Sequence, residues 1–316
     1  MIDKNSRILV TGGHGFLGTH LIEHLKNYGY NCIIAPKHEE CDLMHQKTAS
    51  DYFRSCSPDA VIHLAAVVGG IGANQDNPGK FFYENMQIGL NAMHFAYKYG
   101  CEKFINIGTV CAYPKIPKTI PFVEEELWDG FPEETNAPYG IAKRALMLMG
   151  QVYRKQYGFN CITLIPTNLY GPNDNFSPRV SHVIPAIIRK VGEAQKNGLN
   201  TIDLWGTGNA TREFLYVVEC AKAIRLAMKY YDQPEPVNLG SGQEISIYEL
   251  AHLICTKMNL GGGNYQINYY SINAHDGQPK RRVNNDRAYR QFGFQNQMTL
   301  DNGLDKTIKW WRNNHG

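Results

Sequence analysis

A chain of 316 residues suits one large domain or two unequal lobes. Its 43% hydrophobic and 19% charged residues exclude an unfolded chain, and 30 glycines with 15 prolines are too few for a collagen-like or low-complexity one. A formal net charge of +3, with no long basic tract, argues against nucleic acid as a partner.

Short apolar runs alternate with amphipathic stretches along the first half. Strands are predicted at 7–11, 31–35, 60–65, 104–108 and 161–165, each a brief apolar run of the kind covered on both faces. Phe16, Leu17, Leu21, Ile22 and Leu25 recur at helical spacing, with Gly29 as the stop. Longer helices are predicted over 79–99 and 138–156. This β-α-β alternation predicts an α/β fold with a doubly wound parallel sheet. After Pro166, prolines and glycines break up the chain, 237–240 returns to the sheet as one more strand, and 195–200 and 261–263 read as loops. The expected division is 1–166 with 217–241 returning to it, and a smaller carboxy-terminal substrate lobe from 167–216 and 242–316.

The eight cysteines, Cys32, Cys41, Cys56, Cys101, Cys111, Cys161, Cys220 and Cys255, are scattered with no CxxC spacing. A disulfide scaffold or a structural metal site is therefore not expected, and a reducing compartment is. The sequence MIDKNSR leads directly into ILV, and no apolar run is long enough to span a bilayer. A cytoplasmic protein without a membrane partner is expected.

The first turn carries chemistry. Gly12, Gly13, His14, Gly15, Phe16, Leu17 and Gly18 form a GxxGxxG pattern between the first strand and the first helix. Glycines there let backbone N–H groups approach a pyrophosphate, and the helix N-terminus adds partial positive charge. In that context the pattern points to a dinucleotide site of the Rossmann kind. The second strand ends Ile34-Ala35-Pro36-Lys37-His38 without the carboxylate that usually holds a ribose 2′-OH. Lys37 and His38 suit a 2′-phosphate, which favours NADP, or else they are a solvated loop.

Tyr139 and Lys143 stand four apart on a predicted helix, so they share a face. A lysine cation beside a phenol favours phenolate and lowers its pKa, giving a proton donor and acceptor for carbonyl reduction. Thr109, at the end of the fourth strand, can hydrogen-bond the same substrate oxygen.

The TGxxGxxG turn, the strand-end hydroxyl and the YxxxK pair resemble the extended short-chain dehydrogenase/reductase superfamily. Further blocks resemble its GDP-L-fucose synthase family: 67–74 (VVGGIGAN), 111–114 (CAYP), 166–176 (PTNLYGPNDNF), 181–185 (SHVIP), 205–208 (WGTG) and 212–217 (REFLYV). The resemblance spans about 7–282. It implies an NADPH-dependent enzyme that epimerises a GDP-linked 4-keto-6-deoxyhexose at C3 and C5 and reduces it at C4. Cys111 and His182 would then be the acid/base pair, with Thr109, Tyr139 and Lys143 at the carbonyl. Tyr139, Lys143, Asn168, Leu169 and His182 would meet the cofactor, Lys143 holding its ribose, and Lys190, Trp205, Arg212 and Lys280 would meet the nucleotide sugar. A homodimer through the helices at 79–99 and 138–156 is also implied, although their apolar stripes suit simple core as well.

The chain departs from that family in places. Threonine stands at 109 where serine is common, Val110 and Ala112 differ, and Lys190 replaces an arginine. The segment 124–134, with Trp128 and Phe131, differs from the usual insert just before Tyr139. A GDP-4-keto-heptose reduced at C4 without epimerisation is the alternative. A non-catalytic NADP-binding regulator is a further one, and such proteins usually lose the tyrosine or the lysine.

Overall fold

The computed structural model describes residues 2–178, 180–270 and 277–315; Met1 and Gly316, the outer residues of the expected lobes, lie outside them. The first lobe runs Ile8–Thr11 (β1), Phe16–Asn27 (α1), Ile33–Ile34 (β2), Gln46–Cys56 (α2), Ala60–His63 (β3), Ile71–Asp76 (α3), Pro78–Lys98 (α4), Lys103–Ile107 (β4), Ala137–Tyr157 (α5) and Cys161–Pro166 (β5). There follow Asn168–Tyr170 (β6), Val183–Lys196 (α6), Thr201–Trp205 (β7), Thr211–Tyr216 (β8), Val217–Tyr230 (α7) and Val237–Leu239 (β9). The chain ends with Glu244–Ser246 (β10), Ile247–Met258 (α8), Gln266–Tyr270 (β11), Lys280–Arg281 (β12), Asp286–Phe292 (α9) and Leu300–His315 (α10).

Six strands form one sheet in the order β2-β1-β3-β4-β5-β9, and every pairing is parallel. Strands β1, β3, β4 and β5 are buried along their whole length, which is why their sequences are largely apolar rather than alternating, with a few buried polar residues such as Lys103 and Asn106. On one face α1 and α7 pack through Leu21, Leu25, Ile224 and Ala227. On the other α2 and α4 pack through Phe53, Ala92, Met93 and Phe95. Each of the larger side chains among them contributes roughly 1.5–3 kcal/mol by leaving water.

The strand expected at 31–35 shrinks to two half-buried residues. It is the sheet edge, and Pro36 just beyond it has no N–H to offer a ladder. Helix α2 has no counterpart among the expected elements. It is polar except for buried Ala49 and Phe53, so its periodicity is faint.

The second lobe has its own core, in which Ile187, Ile188 and Val191 of α6 meet Leu250 and Ile254 of α8 and Leu304 and Trp311 of α10. Strands β10, β8 and β12 form a small sheet, with β6 also pairing with β8, while β7 pairs with β11. Leu215, Ala288, Phe292 and Phe294, expected in the second lobe, pack into the core of the large sheet instead. The expected loop at 195–200 begins two residues late, because α6 continues to Lys196. Among the described residues no helix is long and apolar enough to cross a membrane.

Candidate active site

The carboxy-terminal ends of β1, β3, β4 and β5 open into a cleft of about 1300 Å³ roofed by the second lobe. Gly12, Gly15, Phe16, Leu17 and Gly18 line its floor. Gly12 has φ +70°, and a Cβ there would sit 2.8 Å from the Ala65 amide nitrogen. A Cβ on Gly18 would fall 2.3 Å from the Gly12 carbonyl oxygen. The turn is closed by the Gly15 amide donating to that carbonyl at 3.0 Å. Gly15 caps α1 without a side-chain acceptor, so the first-turn N–H groups face the cleft and fit a pyrophosphate.

Gly13 and His14 do not line the cleft. A Cβ on Gly13 would meet the Ala35 side chain, and the His14 Nε2 lies 3.0 Å from the Ala35 carbonyl; both tie the turn to β2. Lys37 is exposed and outside the lining, its amide donating to Glu40. His38 lies 3.8 Å from Asp42.

At the end of β4, Thr109 caps a short 3-10 turn, Val110–Ala112, and its hydroxyl accepts from the Cys111 amide at 3.2 Å. Helix α5 presses directly on this turn, because a Cβ on Gly140 would lie 2.4 Å from the Cys111 carbonyl oxygen. That close approach sets Tyr139 beside Thr109, to which its phenol is hydrogen-bonded, and beside Cys111. One turn along α5, the Lys143 ammonium donates to the Ile107 carbonyl at 3.0 Å. Burial pushes this lysine down to about 8.

The expected lowering of the Tyr139 pKa is not found. Burial among protein atoms pushes the phenol well up, the neighbouring Cys111 adds to this, and the Thr109 hydrogen bond opposes it. Desolvation outweighs the lysine, whose ammonium is directed at the Ile107 carbonyl. Tyr139 is thus held neutral as a proton donor.

From the second lobe, His182 caps α6 and faces the open cleft. Its pKa is lowered, first by the protein atoms crowding it and then by the Arg281 charge. Asn168 and Leu169 line the cleft on β6, where the Asn168 amide donates to the Glu213 carbonyl. Lys190 donates to the Asp203 carbonyl and lies 5.8 Å over the Trp205 ring at the rim. Arg212 is buried, with Nη1 donating to the carbonyls of Thr211 and Gln278.

Lys280 is exposed and outside the lining; its neighbour Arg281 takes the inward place. Successive strand residues point to opposite faces, so only one of the pair can face the cleft. The pairing of β12 with β8, which sets Arg281 opposite Arg212, decides which. Arg281 donates from Nη1 to the Cys111 Sγ at 3.5 Å. Asn136, absent from the sequence-derived set, also lines the cleft, its amide donating to Glu133 at 2.9 Å. No group of metal-ligating side chains occurs among the described residues.

Comparison with known proteins places this cleft. The model of the NAD dependent epimerase/dehydratase family matches residues 8–240. The chain is 38% identical over 315 residues to GDP-L-fucose synthase 1 of Arabidopsis thaliana, covering 99% of this chain and 95% of that protein. A GDP-6-OMe-4-keto-L-xylo-heptose reductase from C. jejuni superposes with a TM-score of 0.91 at 26% identity over 99% of both chains. A GDP-L-fucose synthetase from Naegleria fowleri bound to NADP does so with a TM-score of 0.88 at 29% identity, over 100% of this chain and 96% of that one. The chain therefore belongs to the NAD dependent epimerase/dehydratase family of extended short-chain dehydrogenases/reductases, within the group that contains the GDP-L-fucose synthases.

Proposed function

We propose that the protein is an NADPH-dependent 3,5-epimerase and 4-reductase of a GDP-linked 4-keto-6-deoxyhexose, yielding GDP-L-fucose or a close relative. The observation that carries this reading is the convergence of Thr109, Cys111, Tyr139, Lys143 and His182 on one cleft. A C4 ketone acidifies the C–H bonds at C3 and C5. Cys111, as thiolate, takes the proton from such a carbon; the C–H bond breaks, an S–H bond forms, and the electron pair moves into the enolate. Thr109 and Tyr139 hydrogen-bond the enolate oxygen. His182 stands on the opposite lobe and delivers a proton to the other face of the ring, which inverts the centre.

The Gly12–Gly18 turn would hold the NADPH pyrophosphate. When bound, the cofactor supplies the hydride for C4. Tyr139 gives its proton to O4, and the nearby Lys143 charge stabilises the phenolate left behind. Lys190 and Arg212 suit the substrate diphosphate, and the exposed face of Trp205 suits the base or sugar. The test is NADPH oxidation with GDP-4-keto-6-deoxymannose in deuterated water. Deuterium at C3 and C5 and an L-fuco product by NMR are expected. A folded protein that binds NADPH yet turns over no 4-keto nucleotide sugar would instead be a regulator.

One observation favours a second reading. The overlap with the heptose reductase extends over 99% of both chains, and Asn136, two residues beyond the divergent segment 124–134, lines the cleft. C4 turnover of a GDP-4-keto-heptose without solvent exchange would establish that reading. The protein is also proposed to be a homodimer. Phe82 and Tyr83 of α4 and Leu148 and Val152 of α5 are exposed, a pattern that suits a helix-pair interface. Sedimentation at the monomer mass would refute it.

A further inference from the structure

The cleft contains a hydrogen-bonded circuit that begins and ends on the segment 111–115. Gln278 is 2% exposed. Its Nε2 donates to the carbonyls of Pro114 at 2.9 Å and Lys115 at 3.1 Å. Its Oε1 accepts from Arg281 Nε at 3.2 Å. Arg281 in turn directs Nη1 at the Cys111 Sγ, 3.5 Å away. The backbone at both ends is fixed. Arg281 pairs with Arg212 across β12 and β8, and the Tyr113 hydroxyl donates to Asn238 at 2.8 Å.

We propose that Arg281 is a positioning residue for Cys111, held in place by Gln278, and that it keeps the sulfur as a thiolate aimed into the cleft. This rests on the reading of Cys111 as a proton-transfer group. A guanidinium stays charged across the accessible pH range, and its fork leaves further N–H groups for other partners while one is on sulfur. A cation in hydrogen-bond contact favours thiolate over thiol. A thiolate accepting from that N–H is a charge-assisted pair, about twice as strong as a neutral one.

The other charged or titratable groups around this sulfur do not replace Arg281. Tyr139 is held neutral, and Arg144 donates to the Ala112 and Gly130 carbonyls rather than to sulfur. Lys143 is directed at the Ile107 carbonyl. Glu133, which feels the Arg281 charge, is turned to Thr135 and Asn136. His182 feels the same cation, which holds it below its ordinary value. Removing Arg281 therefore takes that cation from the imidazole as well as from the sulfur.

The test is alkylation of the full chain by iodoacetamide, with NADP present, from pH 5.5 to 9.5. Modification is quantified at Cys111 by peptide mass spectrometry, which separates it from the other seven cysteines. Arg281→Met is expected to move the alkylation midpoint up by about one pH unit, a roughly tenfold slower reaction at neutral pH. Arg281→Lys, which keeps the charge, restores most of the rate, and Gln278→Met gives an intermediate shift. An unchanged midpoint in a folded Arg281→Met protein overturns the proposal. If that variant does not fold, an unchanged midpoint in Gln278→Met overturns it instead.

Solvent exchange separates this proposal from the reading beneath it. A shifted midpoint with no deuterium entering C3 or C5 in the unaltered protein supports the role of Arg281 and rejects epimerisation. Exchange that persists with no shift in any variant supports epimerisation and rejects the role of Arg281.

Discussion

The glycine turn and the substrate side of the cleft are built in opposite ways. The turn is one continuous stretch, 11–18, whose ligand groups are backbone N–H donors fixed by β1 and α1. The side proposed for the substrate gathers Lys190, Trp205, Arg212 and Arg281 from α6, β7, β8 and β12. Its groups are side chains, and their placement depends on strand pairings between distant segments. A backbone site tolerates little change at its glycines and is indifferent to many other residues. A side-chain site can be retuned one residue at a time while the scaffold stays.

The sharpest break lies between these two regions, at Tyr139. Tyr139→Phe removes the proton donor and leaves both binding surfaces intact. NADPH oxidation is expected to fall about 10²–10⁴-fold, with cofactor affinity unchanged by calorimetry. A loss below tenfold would show that another group, with Thr109 first in line, protonates O4. The next largest effect falls on the turn. Gly18→Ala drives a Cβ to 2.3 Å from the Gly12 carbonyl, so the turn must open. At least a tenfold weaker cofactor affinity is expected, from strain on the order of 1–3 kcal/mol. The substrate side should keep its affinity for GDP, measured alone.

The same contrast explains how much was legible in advance. The sheet strands were readable because burial on both faces leaves a largely apolar run, and the turn because glycine has no substitute where a Cβ meets a carbonyl. Tyr139 and Lys143 stood out by helical spacing. The upward shift of the phenol did not, since desolvation depends on everything packed around α5. The second lobe was visible mainly through resemblance. Lys280 and Arg281 are adjacent cations, and only the β12–β8 register decides which faces inward. The role of Gln278 was not legible, because its partners are the distant carbonyls of Pro114 and Lys115 and the Arg281 guanidinium. Glu213 sat inside a quoted motif, yet its work is structural: it accepts from the amides of Gly242 at 2.6 Å and Val283 at 2.8 Å, fastening two loops of the second lobe.

Two buried groups, one in each lobe, respond to pH in opposite senses. In the sheet lobe, burial pushes Lys143 down to about 8, below its ordinary 10.5. The folded state sheds that proton first, so the stabilisation is present above about 10.5 and is lost as pH falls through about 8. In the second lobe, burial pushes Asp174 up to about 7 from 3.8, and its Oδ2 has no hydrogen-bond partner. Here the folded state holds the extra proton, so the stabilisation is present below about 3.8 and is lost as pH rises through about 7. Asp174→Asn should therefore flatten the decline in Tm between pH 4 and 7. Lys143→Met should gain on the unaltered protein most at pH 7 and least above pH 10, by an amount on the order of 2 kcal/mol. Parallel melting curves that keep a constant offset would refute the corresponding assignment.

The smallest effect tests the register that separates two adjacent cations. Lys280→Ala removes a charge that lies outside the cleft, so its KM for the nucleotide sugar should stay within about twofold of the unaltered value, since an exposed charge away from a partner is worth little. Trp205→Ala, at a position 77% exposed on the rim, should raise KM several-fold and leave kcat unchanged, because it removes contact made equally in ground and transition states. If Lys280→Ala were instead the more damaging of the two, β12 would have to be shifted by one residue in solution. That slip would turn Arg281 outward, take it away from Cys111, and leave Gln278 with no guanidinium to hold.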